Sequence, residues 1–149
     1  MKKRNEIKLT QEEQEKFLGE ARKASLATLD EEGYPHVVAM NFIWRDGAIL
    51  MSSYRKAQKV LNVRRNPRVG VMVEAGRAYA ELRGVMIRGD CEIVEDFASV
   101  NAMMRAIRRE AGDVGVGEEP IESAPKRVIL KVVPKKIASW DHSKLGGKY

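Results

Sequence analysis

Apolar and polar positions in this chain mostly alternate over short runs, and a period of two residues is the mark of half-buried strands. Ser25 to Asp30, Tyr34 to Arg45 and Ala48 to Ser53 read as three strands. The tight turns Glu31-Glu-Gly33 and Asp46-Gly47 join them into an antiparallel meander. Arg68 to Glu74 and Tyr79 to Glu95 resume the strand pattern around a turn at Ala75-Gly76, and Val128 to Val133 and Lys136 to Trp140 supply the last strands, broken at Pro134. Gly84 and Gly89 interrupt the longest run, where a glycine marks a bulge, a bend or a close backbone approach.

Three stretches change to the helical spacing of three and four. Thr10-Gln-Glu-Glu13 has the capping-box pattern ahead of Phe17, Leu18 and Ala21, which predicts a helix from about Gln11 to Lys23. A short helix is predicted around Ala57 to Arg65, stopped by Asn66-Pro67, and a long one from Phe97 to Glu110 with Val100, Met104 and Ile107 on one face. Ala111 to Pro125, rich in Gly, Glu and Pro, reads as a loop suited to act as a lid. Five or six antiparallel strands with helices at the periphery predict a mainly β, α+β fold built on a small barrel, against an open α+β sheet.

A length of 149 residues with 44% hydrophobic content suits one core, so a single domain over residues 1–149 is expected. Apolar runs such as Val37 to Trp44 fall short of the roughly 20 residues a membrane span needs. Met1-Lys-Lys-Arg-Asn5 leads into no apolar signal core, and a soluble, cytoplasmic protein is expected. Cys91 is the only cysteine, and with His36 and His142 it makes neither a disulfide nor a zinc cluster. Redox chemistry would therefore come from an organic cofactor.

Charge adds a ligand class. Against 21 acidic side chains stand 27 basic ones, gathered in Met1 to Lys8, Arg55 to Arg68, Arg105 to Arg109 and Lys126 to Lys136, which points to an anionic ligand. Aromatics make up 6% and are not interleaved with the cations, which argues against nucleic acid. Ser52-Ser-Tyr-Arg-Lys-Ala-Gln-Lys59 places two hydroxyls at a strand end and three cations around a helix start. Cations there oppose the helix dipole, and with free N–H groups and hydroxyls they compose a phosphate site; a solvated basic face is the competing reading.

Four ordered stretches resemble the pyridoxamine 5'-phosphate oxidase-like flavin-binding split-barrel family, including its relatives that use the deazaflavin coenzyme F(420). They are Gly33-Tyr-Pro-His-Val-Val-Ala-Met-Asn41; Ser52-Ser53 with Gln58-Lys59 and Asn66-Pro-Arg-Val69; Arg83-Gly-Val-Met-Ile-Arg-Gly89; and Pro134-Lys-Lys-Ile-Ala-Ser-Trp140. The resemblance covers about Ala24 to Trp140. It implies a six-stranded split antiparallel β-barrel with peripheral helices, a homodimer, and a cofactor held between subunits. It further implies that Ser52 and Ser53 face the cofactor ring and ribityl chain, that Lys59 assisted by Gln58 contacts the phosphate, and that His36 and Asn41 lie near the ring. Trp140 and the backbone of Arg83, Gly84 and Val85 would reach the site from the partner.

Departures narrow what is implied. Asp141-His-Ser-Lys-Leu-Gly-Gly-Lys-Tyr149 stands where the oxidase has an Arg-Leu-x-His-like element that holds its vitamin substrate, and Gln58 and Asn41 stand at positions cationic in that enzyme. The expected activity is hydride transfer between coenzyme F(420), with FMN as the alternative, and a small organic substrate. Lys2, Lys3, Arg4, Lys8, Arg55, Lys56 and Lys59 would form a wide basic surface for the deazaflavin's acidic tail if the N-terminal segment folds near the site. The alternative class is a non-catalytic carrier of a flavin, deazaflavin, haem or tetrapyrrole on the same barrel.

Overall fold

Alternation along the chain becomes one curled antiparallel sheet. In the computed structural model, which describes residues 2–113, 115–117 and 119–146, the strands are β1 (Lys23–Leu29), β2 (Pro35–Asn41), β3 (Ile43–Arg45), β4 (Ala48–Tyr54), β5 (Arg68–Ala75), β6 (Arg83–Val94) and β7 (Arg127–Asp141). Their order is β2-β1-β5-β6-β7-β4-β3. Because β2 also approaches β4, the sheet rolls into a half-barrel whose seam lies between those two strands. Its seven strands replace the six expected.

One expected run divides and the last two join, and the division has a physical cause. Phe42 and Ile43 are both buried, which breaks the alternation of the expected strand from Tyr34 to Arg45. Phe42 packs into the barrel interior and Ile43 into a second cluster outside it, so the chain changes sides and the run divides into β2 and β3. The start of the other long run is lost to a 3-10 turn at Tyr79–Glu81.

Helices close the ends and one flank. α1 (Lys2–Glu6) was not anticipated. α2 (Gln11–Glu20) starts on the expected box: Thr10 Oγ accepts from Glu13 N at 3.2 Å and the Glu13 carboxylate accepts from Thr10 N at 2.8 Å. α3 is Gln58–Arg65, and α4 is Phe97–Glu110, capped by the Asp96 carboxylate accepting from Ser99 N at 3.0 Å. Inside the barrel lie Leu26, Met51, Val71, Ile87 and Val132, with Leu18 and Val60 plugging from the helices. Outside, Val100, Met104 and Ile107 of α4 cover Ile43, Leu50 and Ile129.

Cys91 sits in the interior core, and burial pushes its thiol up to about 12. The nucleophile is the thiolate. Thiol-specific disulfide reagents at pH 8 are therefore expected to leave native Cys91 unmodified over hours and to label it once the protein is unfolded; rapid native labelling would contradict the burial.

The two C-terminal strands expected on either side of Pro134 are one strand with a bulge. Arg88 pairs with Lys136 but Gly89 pairs with Pro134, which leaves Lys135 as the extra residue. A proline has no ladder donor to offer, so the irregularity is where it fits. Gly89 fits for a matching reason, since a Cβ there would lie 2.5 Å from the Val133 carbonyl oxygen. The extra residue also inverts the in-out alternation of β7, and Trp140 lands on the outer face opposite Gly84.

α4 covers only part of that outer face. Across the rest, Ala39, Ser25, Met72, Met86 and Ala138 form one row of cross-strand partners. Neighbouring Val37 is 62% exposed and Met72 40%. Apart from Ser25 the row is apolar, and no helix among the described residues packs over it.

Candidate functional site

Where β2 and β4 approach at the seam, a cleft of about 400 Å³ opens beside α4. The end of β2 brings Asn41 to it, the end of β4 brings Ser52, Ser53 and Tyr54, and the first turn of α3 brings Lys59. Met104, Ile107 and Arg108 of α4 close one side, and Arg127 and Asp113 complete the wall. Ser52 pairs with Ile129 and so faces α4, whereas Ser53 faces inward and is 2% exposed, its Oγ donating to the Tyr54 carbonyl at 3.2 Å.

Positive charge is in excess here, with Lys59, Arg108 and Arg127 against Asp113 among the described residues of the wall. Lys59 is half-buried; burial lowers its ammonium pKa, and the neighbouring Arg127 guanidinium lowers it further. Among the described residues no carboxylate ion-pairs with Lys59 or Arg127. Arg127 opens β7 directly opposite Tyr54, its guanidinium carbon lies 3.7 Å from the centre of that ring, and its buried Nε has no hydrogen-bond partner. α3 begins after Ala57 with no side-chain cap, so its first N–H groups also lack a side-chain acceptor. Desolvated cations and N–H donors without a side-chain acceptor around one space make its electrostatics favourable to an anion.

The other expected residues lie elsewhere in the chain. Gln58 turns away from the cleft and donates to Asn62 Oδ1 at 2.7 Å; buried Asn62 in turn donates to Thr28 Oγ1 at 3.0 Å, tying α3 to β1. His36 pairs with Thr28 on the face of β2 opposite to Asn41, and its Nδ1 is buried without a partner. Arg83, Gly84, Val85 and Trp140 stand at the far end of β6 and β7 and do not line this cleft. There the Arg83 guanidinium lies 5.4 Å from the Phe17 ring, and the Val85 side chain is fully buried in the chain's own core.

The basic N-terminal segment goes to that far end as well. Asp141 N donates to Ile7 O at 2.7 Å, Leu9 N to Ser139 Oγ at 3.0 Å, and Lys144 Nζ to Lys8 O at 2.7 Å. Within one chain, Lys8 is thus separated from Lys59 by the length of β7, and the continuous basic surface expected of the two is not assembled.

Tyr54, Arg108 and Arg127 were missed in the sequence. Arg127 lies in a segment recognised only as basic, and Tyr54 next to the two serines; what joins them is strand pairing, which local pattern does not report. Tyr54, Arg108 and Asp113 also border a larger cleft of about 820 Å³ under the segment that follows α4, where Ile121 N donates to Asn101 Oδ1 at 2.8 Å. Among the described residues no cluster of three or more His, Cys, Asp or Glu is placed to hold a metal, and no helix is long and apolar enough to cross a membrane.

Comparison with known proteins gives the geometry a family context. A sequence profile of pyridoxamine 5'-phosphate oxidase matches residues 10–141. A solved conserved hypothetical protein from Mycobacterium tuberculosis is 33% identical and superimposes with a TM-score of 0.85, covering 98% of this chain and 93% of its own. An F(420) reductase is 29% identical at a TM-score of 0.68, covering 83% and 94%. A FAD-binding protein from Mesorhizobium loti, 21% identical at a TM-score of 0.69 over 88% and 94%, shares the fold. No curated protein sequence matches the chain.

Proposed function

The chain belongs to the pyridoxamine 5'-phosphate oxidase family, and from that membership we propose that it is an oxidoreductase holding a phosphate-bearing flavin-type cofactor in the cleft beside Lys59. Coenzyme F(420) is favoured over FMN, which accords with the F(420) reductase among the similar structures. The observation that carries the reading is the half-buried Lys59, unpaired among the described residues, beside Arg127 and the two serines.

The residues fit such a group. Lys59 and the first turn of α3 would hold its phosphate, Ser52 would face the ribityl chain and ring, and Asn41 would approach the ring from β2. Bound there, a flavin or deazaflavin supplies hydride chemistry, and the protein supplies binding, orientation and water exclusion. Met104 and Ile107 of α4 give one side of the cleft an apolar edge. The segment after β7 is spent on its own turn, with Asp141 Oδ1 accepting from Ser143 and the His142 ring against Tyr79, so we do not assign the vitamin oxidase's substrate.

The partner is a second copy of the chain. Pairing the uncovered face of Val37, Met72 and Met86 with itself about a two-fold axis would bury it and bring the Trp140 end of one chain toward Ser53 of the other. In that arrangement Trp140 and the Gly84 backbone would complete the partner's cleft. Light scattering at micromolar concentration should give twice 16.8 kDa, and Met72→Asp should shift it toward 16.8 kDa; a monomeric wild type would defeat the pairing.

Absorbance and fluorescence titrations with FMN and the deazaflavin, run separately, test the cofactor. Saturable binding of one is expected, and reoxidation of the reduced bound form by an added electron acceptor would separate enzyme from carrier. Binding of neither defeats the reading. Affinity should also depend on pH. The free protein holds the Lys59 ammonium below its ordinary pKa and an anion would raise it again, so binding is strongest in the pH range where Lys59 is protonated and weakens as pH rises through the lowered value. A flat profile up to the onset of alkaline unfolding would place the anion elsewhere.

A further inference from the structure

Neither the family context nor the sequence assigns a role to Arg127 or Tyr54, yet in the cleft they form a cation–ring stack that leaves a buried Nε–H unpartnered. We propose that Arg127, held by the ring of Tyr54, is a ligand-binding residue, and that its guanidinium and the Lys59 ammonium together take one phosphate group. The proposal rests on reading the cleft as the seat of a phosphate-bearing cofactor.

Position comes from the sheet. Tyr54 and Arg127 are direct partners at the ends of β4 and β7, on the same face as Ser52 and α4, and Arg55 N closes the ladder beyond them by donating to Lys126 O at 2.9 Å. A guanidinium stacked at 3.7 Å on a ring is restrained in its plane, while its N–H groups, which lie in that plane, stay free to donate. One of them, Nε–H, is buried and unpartnered, a state that a buried donor leaves when an acceptor enters.

Charge supplies the second argument. Among the described residues Lys59, Arg108 and Arg127 line the cleft against a single carboxylate from Asp113, and Asp113 ion-pairs with none of them. Arg127 is near enough to Lys59 to disfavour its protonated form. Two like charges held together in a half-buried space are balanced by an anion between them, and a planar fork beside a point charge matches the oxygens of phosphate. Tyr54 is in this account a positioning residue, acting through Arg127.

The test uses ligands with and without the phosphate, titrated by fluorescence: FMN against riboflavin, which differ only there, and the deazaflavin coenzyme against its riboside, which lacks the acidic tail as well. Arg127→Ala should weaken the phosphate-bearing forms by about 10- to 100-fold, the worth of a charge-assisted hydrogen bond, and the phosphate-free forms by less than about twofold. Arg127→Lys should recover part of the loss, and Tyr54→Leu should show a smaller loss with the same selectivity. Equal losses for both kinds of ligand, or none, would overturn the assignment. Independently, inorganic phosphate titrated into 15N-labelled protein should shift the Arg127 Nε–H resonance saturably, and less tightly in Lys59→Ala. A resonance that does not move overturns the proposal. Should wild type bind none of the four ligands, the cofactor reading fails and the phosphate titration alone decides the role of Arg127.

Discussion

Lys59→Ala is expected to weaken binding of the phosphate-bearing cofactor by about 10- to 100-fold, the worth of a hydrogen bond to a charged group, with stability unchanged to within about 0.5 kcal/mol. The asymmetry follows from the site. Folding draws the Lys59 ammonium partly out of water and sets it beside Arg127 with no carboxylate to answer it among the described residues, so the native state gains nothing from the charge when no ligand is bound. Fluorescence titration and urea unfolding of the same variant measure the two effects. An unchanged dissociation constant would remove the phosphate assignment. The serines should differ from the lysine and from each other: Ser52→Ala loses a neutral donor facing the cleft, worth about half a charge-assisted one, whereas buried Ser53 already donates to the Tyr54 carbonyl and its loss should register mainly as stability.

Gly84→Ala is expected to destabilise the protein by about 1–3 kcal/mol through overpacking. A Cβ there would lie 2.5 Å from Trp140 Cζ2 and 2.9 Å from the Val73 carbonyl oxygen, and the indole is the part able to yield. Trp140→Ala should therefore rescue part of the loss in the double variant, leaving a residue due to the Val73 backbone. Denaturant midpoints of the four proteins in the cycle measure the coupling, and strictly additive losses would show that the indole does not occupy the space over Gly84. Gly19→Ala serves as the contrast: its Cβ would meet nothing within 4 Å in helix α2, so it should stabilise by up to about 1 kcal/mol. If the two-fold pairing forms, displacing Trp140 by Gly84→Ala should also weaken cofactor binding in the partner's cleft.

What could be read directly along the chain was whatever depends on near neighbours. The Thr10 capping box starts α2, Asn66-Pro67 ends α3, and Asp46-Gly47 turns with φ of 51° and 76°, the positive values such a tight turn demands. Period-two runs became strands and the Phe97 to Glu110 stripe became α4, because side-chain direction in a strand or helix follows from backbone geometry alone. Asn41, Ser52, Ser53 and Lys59 were legible as candidates through ordered local motifs, and the fold brings them to one cleft.

Pairing between distant segments lay beyond such local reading. That Arg127 stacks on Tyr54, that Trp140 stands over Gly84, and that Gln58 serves Asn62 instead of the cleft are consequences of strand register and helix docking. A single extra residue at Lys135 inverts every later side chain of β7, and the alternation around it looks equally good on either face until β6 is paired beside it. The N-terminal basic segment shows the same limit. Its charge is written in the composition, but hydrogen bonds to Ser139 and Asp141 decide which end of the sheet carries it, since long-range placement is set by packing and ladder satisfaction between parts of the chain that no local pattern relates.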